Sequence, residues 1–263
     1  MKKFFSPEPV IITTGGGGPG LFHDTIRNMK NARSLGSDVI RTNVSATKDN
    51  KLVLYSNAVF QNRDLAGRGI GSYSLEELKV LFGEGPGSDP ADDFRGLFPA
   101  MEEALTGLND CRFNLNLLEK DPRLIRRYCA IIRDLDASDR VLTSSLNGSN
   151  LKKIREVFPE MATAFSFGGV VAFYALYRSG FLYFKRKFSD DALIIHEMIG
   201  ASFLANAGLI EEARSRGIRV YILNIMKEDQ VKRLFEAGAD GFVTNYAALV
   251  KRSLPARGNR NDS

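Results

Sequence analysis

Gly36–Asn57, GSDVIRTNVSATKDNKLVLYSN, is the stretch on which the fold is decided. It opens on Gly36, Ser37 and Asp38, then runs into a segment of strand length, Val39–Val44. Working outward from it, short apolar runs alternate with longer helical patterns over most of the chain. That alternation predicts α/β architecture with a parallel sheet. The expected strands are Val10–Thr13, Val39–Val44, Phe113–Leu117, Val141–Ser144, Ala162–Phe165, Leu193–His196, Val220–Leu223 and Gly241–Thr244. Eight strands, most followed by a helix, give the count of a (β/α)8 TIM barrel. The helix expected at Asp24–Leu35 places Ile26, Met29, Ala32 and Leu35 at spacing three, an apolar stripe to lie on the barrel. Asp229–Ala237 repeats this with Val231, Leu234 and Phe235, and Gly238 stands where a helix C-cap belongs.

The bulk numbers agree with one barrel. The chain has 263 residues, 44% of them hydrophobic, which suits one large core better than two small ones. Expected boundaries are a single domain over 1–253, interrupted by an insertion over 58–98, and a polar disordered tail over 254–263. The insertion is Gly-, Asp- and Pro-rich around a short helix, Leu75–Phe82. Net charge is +5 with both signs mixed, unlike the concentrated basic face of a nucleic-acid binder. No window reaches the ~18 apolar residues of a membrane span. MKKFFSPEPV has no apolar core for a secretory signal, and Cys111 and Cys129 fit no metal-ligand pattern; both point to a cytoplasmic protein with reduced thiols. The only histidines are His23 and His196.

Four segments carry a family resemblance in the right order: VIITTGGGGPGLFHDT (10–25), the 36–57 stretch, FNLNLL (113–118) and GADGFVTNY (238–246). Together they resemble the glycerophosphodiester phosphodiesterase family. The resemblance implies a TIM barrel of that type with an insertion after its second strand. It also implies a divalent metal that polarises a phosphodiester and two histidines as general acid and base. Residue by residue, the match puts other groups at those positions. Without gaps, Thr14 and Gly15 stand for a His-Arg pair, and His23 and Asp24 for Glu and Asn. Sliding the glycines by one puts Thr13 and Thr14 there instead. Arg41 and Asn43 replace two metal carboxylates and Asn116 a third; Ser56 replaces the second histidine, Asn57 its neighbouring Asp, and Asn245 a later Asp. Leu118 takes the place of a lysine, and 220–226 lacks the usual tryptophan.

A hard cation needs several anionic oxygens. A guanidinium at 4 Å repels a dication by about 8 kcal/mol at an effective dielectric of 20. Hydroxyls do not shuttle protons near neutral pH as imidazole does. No metal and no cofactor are therefore expected, and hydrolysis by the family mechanism is not. Asparagines keep carboxylate shape without charge, and Arg41 returns a cation that can hold a phosphate bidentately. The expected function is a degenerate, pseudoenzyme-like relative of lipid-metabolism enzymes. It would bind a phosphate-bearing polyol or related anion through Arg41, Asn43, Thr14, Ser56, Asn57, Asn116 and Asn245. Two alternatives stand beside it: an active phosphodiesterase or lyase with a rearranged site, and a non-catalytic scaffold for a protein partner.

Three further features have simpler readings. His196-Glu197, following the sixth expected strand, is the one candidate for a replacement acid–base pair in the sequence, and His23, a further candidate for catalysis or ligand contact, is read more simply as a helix-start polar residue near the mouth. Gly15–Gly18 could cradle a phosphate through backbone amides but lacks the ending of a nucleotide loop. The aromatic and basic stretch Phe181–Phe188 suits either packing on the core, a homo-oligomer interface, or peripheral contact with an anionic membrane.

Overall fold

The computed structural model describes residues 2–18, 24–56, 69–82, 96–199 and 202–255. Eleven strands are present among them: β1 Val10–Thr14, β2 Val39–Ala46, β3 Leu52–Tyr55, β4 Arg112–Leu117, β5 Val141–Ser145, β6 Ala162–Thr163, β7 Ala192–His196, β8 Met198–Ile199, β9 Ser202–Phe203, β10 Arg219–Leu223 and β11 Gly241–Thr244. Eight run parallel in the order β6-β5-β4-β2-β1-β11-β10-β7. The two ends of that order meet at a parallel bridge between Ala164 and Ala192, which brings the sheet round into a nearly closed barrel. All eight expected strands are there. The fifth expected strand, Ala162–Phe165, is shorter than anticipated, since only 162 and 163 pair as a strand before Ala164 makes its bridge.

Alternation along each strand separates two kinds of core. Val10, Ile12, Val39, Leu142, Ala162, Ala164, Ala192, Tyr221 and Val243 fill the barrel, with Phe4 and Phe5 packed beneath them. Ile40, Val44, Phe113, Leu115 and Leu117 face outward onto helices, as do Ile11, Leu193, Ile195, Val220, Ile222 and Phe242. Tyr221 needs room, and Gly241 provides it. A Cβ on Gly241 would lie 2.3 Å from the Val10 carbonyl and 3.0 Å from the Tyr221 ring.

The helices are α1 Ile26–Ser34, α2 Leu75–Leu81, α3 Met101–Gly107, α4 Pro122–Asp134, α5 Gly148–Val157, α6 Phe167–Arg178, α7 Ala207–Arg214, α8 Glu228–Glu236 and α9 Ala247–Ser253. The Thr25 hydroxyl caps α1 by accepting from the Asn28 amide at 3.0 Å. Met29 and Ala32 are buried and Ile26 packs beside them, as the spacing predicts. Val231 and Leu234 of α8 are buried too, and Gly238 leaves that helix with φ of 98°.

Three strands were not anticipated: the two-residue β8 and β9, which pair antiparallel with each other, and β3. β3 pairs antiparallel with β2, Asn43 opposite Tyr55 and Ala46 opposite Leu52. The turn between them holds Asn50 at a φ of 60°, with the Thr47 amide donating to the Lys51 carbonyl at 2.9 Å. The signal was the apolar run Leu52–Tyr55 after a polar turn. Of the expected insertion, 69–82 and 96–98 are described. Ile70, Leu78, Phe82, Leu97 and Phe98 form a small apolar cluster with Val53 and Tyr55 of β3. Most of the insertion and residues 256–263 of the expected tail lie outside the described residues.

Candidate functional site

Inward-facing positions at the C-terminal ends of the strands line the mouth, where barrel sites are built. The register places Thr14 beside Arg41, Arg41 beside Asn114, Asn43 beside Asn116, and Asn116 beside Ser144. Val39, two residues before Arg41, belongs to the barrel core, so period two points Arg41 and Asn43 inward as well. Thr13 faces the other way, its hydroxyl 2.8 Å from that of Ser37 behind the sheet. Of the two alignments of the glycine segment, the structure therefore puts Thr14 at the mouth.

The Arg41 guanidinium Nη1 donates to Asn114 Oδ1 at 3.0 Å. That accounts for one of the five N–H groups an arginine carries. No carboxylate stands at ion-pair distance from it among the described residues. Burial without a counter-charge pulls its pKa down to about 10. Asn114 is held for this contact: its Nδ2 donates to Ser144 Oγ at 2.6 Å and to the Leu142 carbonyl at 3.0 Å, leaving its oxygen toward Arg41. A second amide pair lies above, Asn116 Nδ2 donating to Asn43 Oδ1 at 2.8 Å. The Thr14 hydroxyl donates to Asn245 Oδ1. Ser56 Oγ is buried and has no hydrogen-bond partner. His23 and Asn57 lie outside the described residues.

Two candidates end elsewhere. His196 is exposed at the end of β7. Glu197 does not reach back to it: its carboxylate pairs with Arg233 and accepts from Gln230 Nε2 at 2.8 Å, tying β7 to α8. The His-Glu step is thus not an assembled acid–base pair, because successive strand residues face opposite sides. In the glycine run the Gly15 amide is already engaged, donating to Asp24 Oδ1 at 3.1 Å, and the Gly16 and Gly17 carbonyls accept from Asn31 Nδ2 and the Ala247 amide, which fix the turn against α1 and α9.

Asp24 is the residue that the resemblance sets at an Asn position, and nothing in the sequence signalled its burial. It is fully buried, and its other oxygen accepts from the Thr42 hydroxyl at 2.6 Å. Desolvation raises its pKa to about 7, against those two hydrogen bonds. Asn114 and Ser144 were also missed. Asn114 could have been found from the alternation in Arg112–Leu117, which puts it on the same face as Asn116.

The divalent metal implied by the resemblance does not fit this donor set. The mouth offers neutral amides and hydroxyls around a cation, and Asn43 Oδ1 already accepts a hydrogen bond. Among the described residues no three His, Cys, Asp or Glu side chains come together. Hard dications bind where anionic oxygens converge. What the arrangement can do is hold an anion.

A family model described as the glycerophosphoryl diester phosphodiesterase family matches residues 16–249. A glycerophosphodiester phosphodiesterase of Caldanaerobacter subterraneus subsp. tengcongensis is 23% identical over 246 residues, covering 90% of this chain and 94% of that protein. The human lysophospholipase D GDPD3 is 20% identical over 270 residues, covering 92% and 84%. Among solved structures, an Oleispira antarctica phosphodiesterase in complex with the product sn-glycerol-3-phosphate superposes with a TM-score of 0.66 at 19% identity, covering 94% of this chain and 96% of that one.

Proposed function

Because this chain belongs to the glycerophosphoryl diester phosphodiesterase family, we propose that its barrel mouth receives a glycerophosphodiester or the glycerol phosphate derived from one, with Arg41 as the anchor for the phosphate. The carrying observation is the Arg41 guanidinium, half-buried among neutral polar groups with a single amide as its partner among the described residues. A phosphate supplies the missing charge and accepts the remaining N–H groups in a fork that suits it. In this reading Thr14, Ser56 and the amides of Asn43 and Asn116 would meet the ester and glycerol oxygens. The relative crystallised with sn-glycerol-3-phosphate supports that ligand class.

On turnover, the names of the relatives favour a second reading, an active phosphodiesterase with a rearranged site. The expectation of lost hydrolysis rests on the residues alone, and the comparisons lend it nothing. An active site here would have to work without the metal carboxylates and the histidine pair. His196, exposed at the end of β7, is the one imidazole among the described residues.

Two measurements on one preparation test both readings. Calorimetric titration with sn-glycerol 3-phosphate should show saturable binding that Arg41→Ala weakens by about 2–5 kcal/mol, the usual cost of deleting one partner of a buried charge pair. Arg41→Lys should recover part of it. Release of choline from glycerophosphocholine and from lysophosphatidylcholine reads turnover. Wild-type protein that binds no phosphate ester would end the ligand reading, and turnover abolished by His196→Ala would establish the enzyme.

A further inference from the structure

α6 has the sequence FGGVVAFYALYR, with no charge before Arg178 at its end. Its inner face is accounted for: Phe173 is buried, and Val170, Tyr174 and Tyr177 pack on the outer core. The outer face is not polar. Phe167 and Val171 are largely exposed, and Ala172 and Ala175 continue the apolar strip. Gly180, at a φ of 76°, then reverses the chain into the one-turn 3-10 helix Phe181–Phe184. Leu182 is buried there as an anchor, while Phe181, Tyr183 and Phe184 stand 58%, 70% and 79% exposed. Among the described residues every exposed aromatic side chain lies on this one segment.

The tip is held firmly. Arg216 donates from Nη2 to the Leu182 carbonyl at 2.9 Å and from Nε to that of Lys185 at 3.1 Å. Phe188 tucks back against Phe165 and Phe173. Between the tip and that tuck come Lys185, Arg186 and Lys187, all exposed. None of the three is at ion-pair distance from a carboxylate among the described residues. The Lys185 ammonium instead lies 4.7 Å from the centre of the Phe188 ring.

We infer that this face docks on an anionic lipid surface, with Phe181, Tyr183 and Phe184 entering the headgroup layer and Lys185, Arg186 and Lys187 meeting the lipid phosphates. Aromatic side chains favour the membrane interface, and adjacent basic residues are attracted to its negative potential. A second copy of the chain fits less well, because a two-fold contact through the patch sets it against itself and brings like charges together. α6 follows β6, so Phe167 is at the mouth end of the wall and the aromatic tip is about 18 Å away at the other end. The barrel would lie on its side, its mouth opening along the lipid surface. This inference does not depend on the ligand at the mouth.

The test is sedimentation of the full chain with phosphatidylcholine vesicles, with and without phosphatidylglycerol. Wild-type protein should pellet with the anionic vesicles and be released by salt. Lys185→Glu combined with Arg186→Glu and Lys187→Glu should weaken binding by roughly a hundredfold or more, from about 1 kcal/mol per basic residue. Phe181→Ser with Tyr183→Ser and Phe184→Ser should weaken it as well, at an unchanged circular dichroism spectrum. Protein that stays in the supernatant, or variants that pellet like wild type, would overturn the inference. So would a wild-type dimer in sedimentation velocity that Phe184→Ser converts to monomer, since the patch would then face another copy.

Discussion

The two ends of the barrel treat buried charge in opposite ways. At the closed end every buried or half-buried cation has answering oxygens. Arg112 donates to the Phe4 and Ser6 carbonyls at 2.6 and 2.9 Å and sits 3.9 Å from Asp38. Arg219 pairs with Glu8 at 3.0 Å and with Asp240 at 3.3 Å, and Lys2 pairs with Asp191 at 2.9 Å. At the mouth Arg41 has one amide and, among the described residues, no carboxylate at ion-pair distance. Desolvated charge costs several kcal/mol unless it is matched. The closed end meets that cost from within the chain, and its charges serve the fold. Among the described residues the mouth supplies no such match, and the proposed phosphate would supply one.

The most disruptive way to probe this difference is at the closed end. Asp240 is fully buried, accepts from the Val220 amide at 2.8 Å, and faces both Arg219 and Arg214. Asp240→Ala should lower unfolding free energy in urea by about 3–5 kcal/mol, because the partner charges stay behind unmatched. Arg41→Met is the matching change at the mouth. It removes a charge with no counter-ion and keeps most of the volume, so the melting temperature should hold or rise while phosphate-ester affinity falls by about 2–5 kcal/mol. If Arg41→Met unfolds the protein as Asp240→Ala does, the two ends are alike and the contrast fails.

A smaller effect separates the ends by pH. Asp24, beneath the mouth, has its pKa raised by burial from 3.8 to about 7. The native state therefore keeps a proton that the unfolded chain releases. Stability from this group is complete below about pH 4 and is lost as pH rises through about 7. Melting temperatures across that window should decline for wild type and decline less for Asp24→Asn, although Asn supplies one acceptor oxygen where Gly15 and Thr42 need two. Smallest of all should be the response to calcium or magnesium. Calorimetric titration should show no site-specific heat, and a stoichiometric site lost with Asn43→Ala would show the mouth to be a metal centre after all.

The barrel was legible because several of its strands are apolar on both faces, so Val10–Thr14, Ala192–His196 and Arg219–Leu223 stand out against helical stretches. β3 was not, since Leu52–Tyr55 joins the sheet antiparallel outside the strand–helix rhythm. At the mouth, Arg41, Asn43, Asn116 and the Thr14–Asn245 contact follow from strand register, which alternation reveals. Three facts needed coordinates. Asn114 meets Arg41 across neighbouring strands, Asp24 is buried against Gly15 and Thr42, and Glu197 is claimed by α8. Each depends on side chains far apart in the chain, which local spacing does not encode.

The amide pair between Asn116 and Asn43 also keeps single substitutions from making a divalent-cation site. Asn116→Asp alone would set a carboxylate oxygen against Asn43 Oδ1, where an N–H donor now sits. Asn43→Asp alone would place one negative charge in a ring that still contains Arg41, and that charge would pair with the guanidinium before it could take a dication. Neither change alone gives a metal site on which a second could improve. Building one takes at least three coordinated changes, at 41, 43 and 116. Calcium affinity should appear only in that triple replacement and in none of its single members.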